Sequence, residues 1–144
     1  MELSALEKKK RFLKRYKRNN ACIDRLKNKL LVLTERIESV KSPNMSGMPR
    51  GSVPVGVEDL LSDKMDLEKR IAKLKAKKSS LKEKVLEEID NLEDTRYIDV
   101  LEMFFIDCMS FEEIAEVKDY TERHVIRLYT DAIKWLVDND TMTD

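Results

Sequence analysis

Residues 110–136 read SFEEIAEVKDYTERHVIRLYTDAIKWL, and two helix caps inside this stretch decide the fold. Ser110 is a preferred helix-start residue, and Glu113 three positions later completes a capping box. Ile114 and Ala115 follow as an apolar stripe at helical spacing. A turn over Val117-Lys118-Asp119-Tyr120 is expected next, with Thr121 capping a second helix. The second helix would bury Val125, Leu128, Ala132 and Ile133. Ala115 is small where two steeply crossing helices leave little room between them. The pattern predicts a helix-turn-helix, although a plain helical hairpin would use the same caps and stripe.

Composition sets the wider limits. Charged residues make up 39% of the 144 positions, against roughly 25% in ordinary globular domains. Aromatic residues are only 6%, so long solvated helices are expected rather than one large core. No apolar run approaches the ~20 residues that a membrane-spanning helix needs, and nothing resembles a signal peptide. Cys22 and Cys108 sit in apolar contexts read as helical and lack metal-ligand spacing. A reduced, cytoplasmic protein is the expectation.

The net charge of zero conceals a gradient. Residues 1–41 carry 13 Lys and Arg against 5 Asp and Glu, for +8. Residues 42–57 stand at +1, residues 58–94 at −2 and residues 95–144 at −7.

All three glycines and all three prolines lie between Pro43 and Gly56, so residues 42–57 are expected to form a flexible loop. On one side, Phe12, Tyr16, Asn19, Ile23, Leu26, Leu30, Leu33, Ile37 and Val40 recur at steps of three and four. On the other, Leu60, Lys64, Leu67, Ile71, Leu74, Lys78, Leu81 and Val85 do the same, with Ile89 and Leu92 extending the row. That is the period of a coiled-coil seam. Helices over Ser4–Val40 and Glu58–Leu92 would be ~55 and ~52 Å long. Equal lengths across a loop suggest an antiparallel hairpin with residue 12 near residue 87. The basic block Lys8–Arg18 would then lie beside Glu83, Glu87, Glu88, Asp90, Glu93 and Asp94. A parallel two-chain coiled coil would stack like charges instead. Asn19, Lys64 and Lys78 on the seam would lower stability while fixing register or oligomeric state. The fold class is thus all-α, with a hairpin domain over 1–94 and a helix-turn-helix domain over 95–144.

The segment 110–136 resembles the promoter-reading region (region four) of bacterial sigma factors. Ser110, Glu112, Glu113, Ile114, Ala115, Thr121, Val125, Ala132 and Leu136 fall in register with that pattern, and Arg96–Phe105 resembles its supporting helix. The turn glycine of the pattern is replaced by Asp119, a residue that tolerates the left-handed conformation better than most. With a hairpin in front, the whole layout resembles the ArpU/RinA-like late transcriptional regulators of Gram-positive phages. The resemblance implies duplex DNA as ligand, bacterial RNA polymerase as a partner, and activation of phage genes in the host cell.

A recognition helix reads base edges with residues near its N-terminal end, on the face opposite its core stripe. Taking away Val125, Leu128, Ala132 and Ile133 leaves Glu122, Arg123, Ile126, Arg127 and Thr130. Glu122, Arg123, Ile126 and Arg127 match the groove-facing positions of the sigma-like register. Arg123 and Arg127 are suited to guanine, Glu122 to a cytosine amine and Ile126 to a thymine methyl. Glu122 also suits a helix start electrostatically, and Ile126 also suits contact with a neighbouring helix. His124, the one histidine, is either a phosphate contact or a surface residue. Thr121 is a cap whose helix-start amides can hold a phosphate. Tyr129 and Trp135 are expected beneath the helix C-terminus.

The Lys8–Arg18 block reads either as a phosphate-tracking arm or as an exposed face balanced by acidic neighbours. Lys69–Lys84 is a second basic run. No glycine-rich phosphate loop, metal-ligand set or Ser–His arrangement is present in the sequence, so no cofactor, metal or enzymatic activity is expected. Two further functions stay open. One is a protein–protein adaptor that does not read DNA, which the −7 charge of residues 95–144 favours. The other is a small-terminase-like packaging subunit built as a homo-oligomeric ring.

Overall fold

A computed structural model describes residues 3–41 and 56–140. Among them are six helices and no strand: α1 (Ala5–Leu13), α2 (Arg15–Lys41), α3 (Val57–Ile89), α4 (Thr95–Phe105), α5 (Phe111–Lys118) and α6 (Glu122–Asp138). The fold is all-α. The expected loop at 42–57 lies almost wholly outside the described residues. Its last two positions are Gly56, at φ 96, and Val57, which opens α3.

Packing divides the chain into two compact units. The first combines Met1–Asn19 with Lys78–Asp144, and the second is Asn20–Lys77. The division falls inside α2 and inside α3 and groups the first nineteen residues with the C-terminal helices.

In the Asn20–Lys77 unit, Ile23 and Leu26 of α2 cluster with Ile71 of α3, and Leu30, Leu67 and Leu74 pack against them. Further along α2, Val32 and Leu33 share a groove with Asp63 and Leu67. Partners on α3 therefore run down in number as α2 runs up. Leu31, Val32 and Met65 stay exposed.

The other unit holds the larger core. Leu13, Tyr16, Val85, Ile89 and Leu92 join Val100, Leu101 and Phe105 of α4, Ile114 of α5, and Val125, Ala132 and Ile133 of α6. A fully buried Leu, Ile or Phe contributes about 1.5–3 kcal/mol relative to exposure, so this cluster dominates the stability of the fold. Phe12 and Glu87 line one cleft. Among the described residues, however, Glu88 alone of the acidic block forms an ion pair with the basic block: its carboxylate lies 2.8 Å from Lys9 Nζ, with both groups buried.

Several expectations need correction. The first long helix is interrupted at Lys14, whose backbone stays helical in φ but has ψ −7. No glycine or proline causes this break. On its two sides, Lys9 is tied to Glu88, and Lys17 Nζ sits 3.5 Å from the Phe104 ring centroid. Lys78 is exposed rather than on a seam, whereas Asn19 is buried. Both cysteines are exposed. Cys108 is not helical at all, but lies in the bend between α4 and α5 at φ 59.

Short-range polar contacts fix where α4 and α5 begin. The Asp94 side chain accepts from Arg96 N at 2.9 Å and meets the Arg96 guanidinium at 3.0 Å. The Arg96 side chain first, and then its backbone N–H, hold this carboxyl below its ordinary 3.8. Glu113 accepts from Ser110 N at 2.9 Å, which holds its carboxyl below the ordinary 4.5. Both groups are depressed on folding, so what they contribute is present above the unfolded values and lost as pH falls through the folded ones. As pH falls below the ordinary carboxylate range the starts of α4 and α5 are expected to loosen. Thermal melts across this range check it: a combined Asp94→Asn and Glu113→Gln variant should lose less Tm on acidification than the parent chain. An identical acid profile for both proteins would refute the assignment.

Candidate nucleic-acid interface

The candidate site is assembled by α5, the turn after it and α6. At the start of α5, Ser110 Oγ accepts from Glu113 N at 3.1 Å while Glu113 Oε1 accepts from Ser110 N, so the capping box is complete. The helix runs through Lys118, making the turn shorter than expected: Asp119 and Tyr120 alone precede the Thr121 cap. Asp119 is left-handed, at φ 59 and ψ 42. Tyr120 N donates to Ala115 O at 2.9 Å, and Asp119 N to Glu116 O at 3.4 Å. These two bonds are those of a Schellman ending, whose left-handed position favours glycine; aspartate fills it here. The Thr121 side chain then accepts from His124 N at 3.1 Å and starts α6.

Helix α6 divides cleanly by face. Val125, Ala132 and Ile133 are fully buried, and Leu128, Tyr129 and Leu136 nearly so. Thr121, Glu122, Arg123 and Arg127 are exposed, and Ile126 keeps 41% of its surface. Thr130 is half-buried, as is His124, whose ring meets Tyr120 edge-on with centroids 4.8 Å apart. Arg123 and Arg127 are four residues apart and so project from one face. Among the described residues neither forms an ion pair.

What holds α6 in place is largely aromatic. Phe104 stacks on Phe111 with centroids 4.6 Å apart and meets Tyr129 edge-on at 5.1 Å. Such pairs add about 0.5–1.5 kcal/mol beyond their buried area. Burial also pushes the Tyr129 phenol above its usual range. Lys118 Nζ lies 2.6 Å from Asp99 Oδ2, tying the end of α5 to α4. Trp135 is half-buried against the same core, and Asn139 closes α6 by donating to Trp135 O.

The sequence reading missed the part played by α1. This helix packs on α6: Leu6 and Leu13 enter the shared core, and Lys10 Nζ stands 5.9 Å from the Tyr129 ring centroid. Lys9 bridges to Asp140 at 3.2 Å as well as to Glu88. The amphipathic spacing of Leu6, Lys9 and Leu13 was the available signal, but the expected seam begins at Phe12 and leaves these three out.

Among the described residues, no group of three or more His, Cys, Asp and Glu side chains is placed to hold a metal ion. No described helix is long and apolar enough to cross a membrane. Comparison of the chain with known family models, with curated proteins and with solved structures finds no match.

Proposed function

We propose that this chain is a phage-type transcriptional regulator that reads duplex DNA. In this reading α5 and α6 act as a sigma-like helix-turn-helix, with α6 lying in the major groove. Helices α2 and α3 form an antiparallel hairpin that sets oligomeric state or meets RNA polymerase. The observation that carries the reading is the division of α6. Its core stripe is anchored along the whole helix, while Glu122, Arg123, Ile126 and Arg127 stand free on the first two turns. A rigid helix with exposed arginines near a capped N-terminus is the arrangement that base readout needs.

Arg127→Ala is expected to weaken binding to a preferred duplex by ~1–3 kcal/mol and to relax preference at one base position. Titration of preferred and scrambled duplexes by fluorescence anisotropy checks this. Equal loss on both duplexes would show that Arg127 does not read sequence.

A second reading, an adaptor that binds a protein instead of DNA, draws on Val117 and Ile126. These side chains are 62% and 41% exposed on α5 and α6. It requires a polymerase complex that survives alanine at both Arg123 and Arg127.

A further inference from the structure

We propose that the basic face of α1 and the first turn of α2 is a phosphate-binding surface that grips the backbone of the duplex read by α6. This rests on the DNA-reading role proposed above and extends its site. Lys10, Arg11, Lys14 and Arg18 line one groove, together with Leu3 and Glu7. Their spacing of one, three and four positions keeps them on one side of the chain. From Lys10 to Arg18 the stripe covers roughly 12 Å at 1.5 Å per residue. One DNA strand carries a charge about every 3.4 Å of helix axis, so the stripe spans about three phosphates.

Three other cations of this block are already engaged. Lys9 is bound to Glu88 and Asp140, Lys17 lies over Phe104, and Arg15 shares a cleft with Glu87 and Glu88. Among the described residues Arg11, Lys14 and Arg18 form no ion pair. Their one acidic neighbour in the groove is Glu7.

Placement gives the stripe its ligand. The block belongs to the same compact unit as α6, on which α1 is docked. Residues 78–140 of that unit hold 8 Lys and Arg against 17 Asp and Glu, a net −9. Residues 3–19 bring 8 bases and 1 acid, a net +7, which leaves the described residues of the unit at −2. A reading helix on a −9 body would be repelled by a polyanion, and α1 removes most of that repulsion at the place where α6 is held. Four cations and a single apolar residue, Leu3, also lack the aromatic, weakly charged centre of a protein interface.

The test uses the full chain with Lys10, Arg11, Lys14 and Arg18 all replaced by Gln, and a milder Arg11→Gln/Arg18→Gln variant. Affinity for a selected duplex and for a random duplex is measured against salt concentration. Each phosphate contact contributes about 0.9 to the slope of log affinity on log salt. The slope should shrink by ~3–4 in the fourfold variant and by ~2 in the double variant. Both duplexes should weaken alike, leaving the preference between them unchanged. Circular dichroism confirms that each variant is folded. If the parent chain prefers the selected duplex and both variants keep its slope, the α1 surface is wrong while the reading role of α6 stands. If the parent chain binds no duplex, both proposals fall together. Stronger binding of an RNA duplex of the same sequence, lost in the variants, would also overturn the assignment.

Discussion

Phe105→Ala is expected to lower the unfolding free energy by about 3–5 kcal/mol, the usual cost of removing a buried phenyl ring. Phe105 has no exposed surface, and its ring meets Phe104 at 4.9 Å and Tyr129 at 5.8 Å. Its removal takes away contacts with the helix that carries the candidate readers and leaves a cavity beneath α4. Native domains are stable by only ~5–15 kcal/mol, so the loss would be a large fraction of the total. Urea unfolding followed by helix signal measures it. A change under ~0.5 kcal/mol, the range of surface substitutions, would contradict the packing described for α4 and α6.

The second large effect concerns Lys9. Its ammonium is buried, 2.8 Å from the equally buried Glu88 and 3.2 Å from Asp140. Burial acts to lower its pKa, but hydrogen bonds and charges from the two carboxylates outweigh this and hold it above 10.5. A raised pKa means that its contribution is complete below pH 10.5 and lost as pH climbs through the folded value. Lys9→Met strands Glu88 inside the protein without its partner, and breaking a buried pair in this way costs about 3–5 kcal/mol. Removing both charges at once has a different outcome. Lys9→Met combined with Glu88→Leu should be near neutral or more stable than the parent, as apolar replacement of a buried pair often is. A single variant as stable as the double one would show that the pair is solvated.

What the sequence made legible was local. Ser110 with Glu113, and Thr121 with the N–H of His124, act across three residues, so their geometry follows from spacing alone. The left-handed turn at Asp119 was readable for the same reason, and so was the buried stripe of α6, whose period needs no partner to be recognised. The docking of α1 on α6 was not readable. It depends on contacts such as Lys10 with Tyr129, 119 positions apart, which no periodicity encodes. The heptad pattern over Phe12 to Val40 pointed to one uninterrupted helix, and nothing in the local preferences of Leu13, Lys14 or Arg15 marked the break at Lys14. Tyr129 looked like padding at a helix end because its role depends on rings brought in by α4 and α5. Of the candidate site, the candidate readers were visible from the amphipathicity of α6. The cations of α1 were visible only as a charged run, because the neighbour of a run is a tertiary property.

The central claim is that α6 reads sequence, and selection of bound duplexes from a random DNA pool tests it most directly. The parent chain and Arg127→Ala are run side by side, each with and without bacterial RNA polymerase. Enrichment of one motif by the parent chain, with at least one position relaxed in Arg127→Ala, is the expected result. Failure to enrich any motif, with polymerase present or absent, would contradict the claim and leave the exposed apolar residues of α5 and α6 as a protein-binding surface.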